Sequence, residues 1–160
     1  MKRTCLVFLF AIICFPCFSQ IINEDYFPKD NKIDKQYTIE LSKLDGNINN
    51  WKAVVIKYNT IWEQQMYLEM ERLISIIPES ENKIRETQKK WDEVLDESYF
   101  LAIDNINIFY SGMDAYIGEF LNDEKNRYRE RAKYYLCLYY TIKDQQSKDL
   151  CHTDKTELAN

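Results

Sequence analysis

Glycine and proline are so scarce in this sequence that they act as punctuation. Only three of each occur in 160 residues. A strand-rich domain needs more turn formers than that. Gly46, Pro78 and Ser111-Gly112 instead separate long stretches in which apolar residues recur at helical spacing. Twelve tyrosines, three tryptophans and eight phenylalanines supply bulky packing along those stretches. The expected class is all-α: three long antiparallel helices in an up-down bundle, preceded by a short N-terminal helix. Short connections make consecutive helices antiparallel neighbours.

The first residues have a different purpose. Lys2 and Arg3 precede an apolar run from Cys5 to Phe15, and Pro16-Cys17-Phe18-Ser19 follow. A basic start, a short apolar core and small residues near the cut are the pattern of a secretory signal peptide. We assign residues 1–19 to it and expect a periplasmic or secreted protein with no stable membrane span after cleavage, because the apolar run is short for a spanning helix. Loss of Lys2 and Arg3 takes the balance from 21 basic against 26 acidic residues to 19 against 26, a net of −7. So acidic a protein is a poor partner for nucleic acid and steers basic proteins towards itself.

Residues 20–48 are expected to form a lead-in, mobile over 20–31, with one short helix. Ile33, Tyr37, Leu41 and Leu44 share a helical face that ends at Gly46, a favourable left-handed position. Tyr37, Ile39 and Leu41 also alternate as a strand would, but the helical spacing spans more residues. The helical domain proper covers 49–146. Its first long helix begins at Asn49 or Asn50 and turns Trp51, Val54, Val55, Tyr58, Ile61, Trp62, Met66, Leu73 and Ile77 inward before Pro78 ends it. The second covers about 80–109. Ile84, Gln88, Trp91 and Leu95 lie on one face, and a glutamine in an apolar stripe needs hydrogen-bond partners if it is buried. The third runs from about Met113 to Gln145, and 147–160 form a polar, flexible tail. Reflection about Pro78 and Glu79 places Trp91 level with Met66.

Two charge runs stand out. Asp92, Glu93, Asp96 and Glu97 crowd one stretch of helix, and Lys125, Arg127, Arg129, Arg131 and Lys133 crowd another. The acids form a solvated face, a docking patch for a basic protein, or a surface neutralised by the basic run through Asp96 and Arg127. Calcium is disfavoured because its loops wrap the ion with backbone oxygens, which a regular helix cannot do. Catalysis is not expected. The single histidine, His152, sits in the tail, no glycine-rich phosphate loop occurs, and one histidine with two separated cysteines builds no zinc site. No cofactor or metal is implied.

Cys137 and Cys151 are the two cysteines left after signal cleavage. In an oxidising compartment they form a bridge that folds the tail over the third helix, or they stay as free or intermolecular thiols.

The order of these features resembles the lysozyme inhibitor LprI family of small exported helical domains. The family has a leucine-asparagine pair with an aromatic residue three positions after the asparagine. Tyr58-Asn59 with Trp62 fits this. A leucine, a glutamine four later and a tryptophan three beyond correspond to Ile84, Gln88 and Trp91. Ser111-Gly112 is similar to the family's small-residue turn, and Cys137-Leu138 followed by Thr141 to its closing segment. The likeness covers about residues 51–145. Leu95 and Tyr99 stand where the family commonly has an arginine and a cysteine, so Cys137 lacks its usual partner. The resemblance implies an envelope protein that binds and blocks lysozyme, itself basic. The motif residues are expected to be core architecture rather than the binding surface. The expected function is therefore non-catalytic protein binding at the cell envelope, and the alternative is a structural or accessory subunit of an envelope assembly.

Overall fold

The computed structural model describes residues 24–109 and 114–157, with side chains described for 25–101 and 118–148. The expected signal segment, 1–19, and the turn at Gly112 lie outside the described residues. A 3-10 turn, Glu24–Tyr26, is followed by α1 (Lys32–Leu41), α2 (Ile48–Ile74), a second 3-10 turn (Pro78–Ser80), α3 (Glu81–Phe109) and α4 (Asp114–Glu157). No strand occurs among the described residues. The all-α bundle with a short leading helix is the observed architecture.

The helix starts are set by asparagines. The Asn31 side chain accepts from the Ile33 amide at 2.8 Å and caps α1. Asn47 does the same for α2 through the Asn49 amide at 2.8 Å, so α2 begins before the expected Asn49 or Asn50 cap. Asp45 accepts from the Asn47 amide and from the Asn50 side chain and holds this corner. Gly46 has a φ of 81°, the left-handed conformation expected of it. It caps no helix, however. α1 already stops at Leu41, and Gly46 turns the linker towards α2. At the far end Ile77 adopts φ −137° and ψ 59° before Pro78, which closes the helical path as the residue before a proline must.

α2 and α4 make the closest backbone pair. Trp62, Met66, Met70 and Leu73 pack against Ala132, Tyr135 and Tyr139, while Ile84 and Trp91 of α3 and Phe27 and Ile33 from the leading segment cover the flanks. Burying side chains of this size supplies about 1.5–3 kcal/mol each. Small residues on α4 permit the approach. A Cβ added at Gly118 falls 1.8 Å from the Trp51 ring. Contact with α3 is made by longer side chains: Gln88 Nε2 lies 3.5 Å from Met66 Sδ. Met66 thus meets Gln88, one turn nearer the hairpin than the expected Trp91, because α2 ends at Ile74 and the reversal starts earlier than Pro78.

Two expectations at the chain ends are corrected. The lead-in is anchored: the Tyr26 phenol donates to Asp144, and Phe27 lies against Trp62 with ring centroids 6.4 Å apart. An aromatic pair preceding the α1 cap has apolar surface to bury, which outweighs the polarity of its neighbours. The segment from Ser147 also continues α4 as helix to Glu157, with no glycine or proline to stop it. Among the described residues no helix is long and apolar enough to cross a membrane.

Candidate functional site

Gln88 is 2% exposed and fully engaged. Its Oε1 accepts from the Tyr135 phenol at 2.7 Å and from Arg131 Nε at 3.1 Å, and its Nε2 donates to Asp92 Oδ1 at 2.7 Å. Asp92 also accepts from the Tyr67 phenol at 3.0 Å. Burial and this carboxylate push the Tyr67 hydroxyl up to about 12. Arg131 is meanwhile packed on the rings of Trp91, Tyr134 and Tyr135, at 5.6, 5.2 and 4.9 Å from their centroids. A buried amide that bonds through both of its ends avoids the penalty for unpaired polar groups and fixes how α3 sits on α4.

The other motif residues divide between core and cleft. Tyr58 and Trp62 are 1% exposed, and the Tyr58 phenol donates to Glu40 at 3.0 Å. Ile84 packs at the core margin. Trp91 is half-buried against Tyr128, with centroids 5.7 Å apart. Thr141 Oγ1 donates to the Cys137 carbonyl at 2.8 Å. Cys137 is buried, whereas the side chain of Cys151, its expected partner, lies outside the described residues.

The basic run does not neutralise the acidic cluster. Arg127 pairs with Asp123 on its own helix at 2.9 Å. Arg129 reaches Asp34 of α1 at 2.8 Å and Glu130 at 2.5 Å, and Lys133 faces Glu130 at 3.8 Å. Lys125 is buried with its ammonium 3.8 Å from the Tyr37 ring centroid. Burial pushes that ammonium below its usual range, and Asp34 opposes the shift. Arg129 and Lys125 hold the leading helix onto α4 and Arg127 is paired within α4, so Asp96 is left facing other acids.

Asp96 lines a cleft of about 520 Å³ between α2, α3 and α4, and Glu63 and Glu124 line it with Asp96. The walls are Ile56, Tyr99, Phe100, Leu121 and Tyr128. Asn59 is the motif residue that reaches the cleft, and its Nδ2 donates to Glu124. Burial pushes the Glu124 carboxyl above its usual range. The Asn59 bond opposes this, the charges of Glu63 and Asp96 add to it, and Arg127 counters them. Burial and the charges of Glu63, Glu124 and Asp92 likewise raise the Tyr128 hydroxyl. The cleft is therefore a negative, aromatic-walled recess. Among the described residues no group of three or more His, Cys, Asp or Glu side chains is placed to hold a metal ion.

Glu63 and Glu124 were not marked as site residues in the sequence. Each comes from a different helix from Asp96, and only the bundle brings them together. The one available signal was Glu124, which interrupts the apolar row of α4. No family model, no curated protein and no solved structure matches this chain.

Proposed function

We propose that this chain is an exported, non-catalytic protein-binding domain of the cell envelope that captures a basic partner, with lysozyme as the named candidate. The observation that carries the reading is the cleft in which Glu63, Asp96 and Glu124 converge between exposed apolar walls. A net charge of −5 favours encounter with a cationic protein, and the recess offers such a protein a place to bury one side chain. The order of Asn59, Gln88 and Trp91 along the helices supports the named partner through its likeness to the LprI family.

The test is a lysis assay with purified protein and lysozyme, together with size-exclusion chromatography of the mixture. The expected result is reduced lysis and a co-eluting complex whose yield falls with added salt. Unchanged lysis at micromolar protein, with no complex, removes lysozyme as the partner. A second reading, an accessory subunit of an envelope assembly, is favoured by Leu68, Val94 and Leu101, which are 61%, 60% and 64% exposed. Crosslinking in the native envelope separates the two by the identity of the protein captured.

A further inference from the structure

We infer that the cleft is a receptor for one organic cation on an apolar stem, an alkylguanidinium or alkylammonium group, held by Asn59 Oδ1 together with Glu63, Asp96 and Glu124. This rests on the reading of the chain as a binder of basic partners and goes further by naming the recognised group and the atoms that take it.

Three observations converge. The first is Asn59, only 8% exposed. Its Nδ2 is committed to Glu124, which fixes the amide orientation, and its Oδ1 is buried with no hydrogen-bond donor among the described residues. A buried acceptor left unmet is costly, and an arriving N–H donor recovers that loss. The second is charge. Among the described residues the lining contains carboxylates and no lysine or arginine. Arg127, the cation that acts on Glu124, is already paired with Asp123, while Arg131 is held by Gln88 and Lys125 by the Tyr37 ring. The third is shape. Ile56 and Phe100 are 50% and 65% exposed at the cleft, so an alkyl stem gains contact there while ring faces meet the cationic head. A bare metal ion uses none of these walls.

The group has two sources, a lysine or arginine side chain of a protein partner and a free polyamine. Isothermal titration of the purified protein with agmatine, with spermidine and with lysozyme, each in separate runs, distinguishes them. Saturable binding of agmatine is expected, with 1-pentanol giving no heat. Asp96→Asn, at an exposed position, and Glu63→Gln, at a half-buried one, are expected to weaken agmatine about tenfold each, a loss of ~1.4 kcal/mol. Asn59→Ala is expected to weaken it at least as much. Circular dichroism reports whether that variant folds, and the two carboxylate variants carry the test if it does not. Absence of saturable agmatine and spermidine binding at millimolar concentration overturns the inference. So does binding that Asp96→Asn and Glu63→Gln leave unchanged. If lysozyme binds but neither small cation does, and the cleft variants leave lysozyme unaffected, the partner reading stands and this inference falls. If small cations bind through these residues and lysozyme does not, the inference stands with a free amine as the source.

Discussion

The phenol of Tyr135 donates to Oε1 of Gln88 at 2.7 Å, which ties α4 to α3 where the two helices are joined by side chains rather than by close backbones. Arg131 shares the same oxygen. Replacing Gln88 by leucine removes the acceptor: the buried Tyr135 hydroxyl loses the group it donates to, and half-buried Arg131 keeps its bond to the Tyr135 oxygen at 3.1 Å. We expect a loss of about 2–3 kcal/mol, seen as a lower urea midpoint at unchanged slope. Tyr135→Phe removes one donor to Gln88 and one acceptor of Arg131, leaves the Gln88 oxygen bonded to Arg131, and is expected to cost about 1 kcal/mol. The double variant should cost less than the sum, because the pair is a single interaction.

The leading segment is part of the folded unit. Phe27, Trp62 and the guanidinium of Arg129 meet in a triangle, with the rings 6.4 Å apart and the guanidinium 5.0 Å from Phe27 and 5.8 Å from Trp62, and Arg129 is itself held by Asp34. Phe27→Ala is expected to destabilise the protein by about 1–3 kcal/mol and to shift tryptophan emission to longer wavelength as Trp62 is wetted. Unchanged emission and stability would show that this segment is merely laid on the surface.

Glu124 sets a pH dependence of defined sign. Burial raises its folded pKa above the unfolded value, with Glu63 and Asp96 pushing the same way and Arg127 and the Asn59 bond opposing. Its contribution to stability is therefore complete below the usual glutamate range and is lost as pH rises through the raised folded pKa. Glu124→Gln keeps an acceptor for Asn59 and removes the charge. The variant is expected to melt a few degrees higher than the parent at neutral pH, with the two curves converging below about pH 4. The same substitution should weaken binding of a cation, so stability and binding move in opposite directions.

Gly118 marks the tight crossing of α2 and α4. An alanine Cβ there would lie 1.8 Å from one carbon of the Trp51 ring and 2.6 Å from the next. Alanine gains about 1 kcal/mol of helix propensity, but the indole must move aside. The expected outcome is net destabilisation of about 1–2 kcal/mol, relieved when Trp51→Ala is added. Thermal melts of the two single variants and the double variant measure it.

Much of the bundle was legible along the chain. Pro78 was legible as the reversal between two helices, because the residue before a proline avoids helical geometry, although α2 itself stops at Ile74. Val55, Tyr58, Trp62, Met66 and Leu73 were recognisable as one buried face because side chains three and four apart share a side of a helix. Gln88 was identifiable as a polar residue in need of partners. The partners were not identifiable, since Tyr135 and Arg131 lie far away in sequence. The cap at Asn47 was displaced because several neighbouring asparagines suit that position equally. Lys125 and Glu69 were not recognised as buried, because a charged residue carries no local sign that a ring or an amide will shelter it.

Sequence alone therefore determined the helical class and the inward stripes, because both arise from contacts within a few residues and from the shortage of glycine and proline. Only the tertiary structure decided that Arg129 serves Asp34 rather than the acidic cluster, and that Glu63, Asp96 and Glu124 face one another around Asn59. Those outcomes depend on how far three helices rotate and slide as their large rings interlock. Local periodicity specifies a face for each helix and leaves open which neighbour that face will meet.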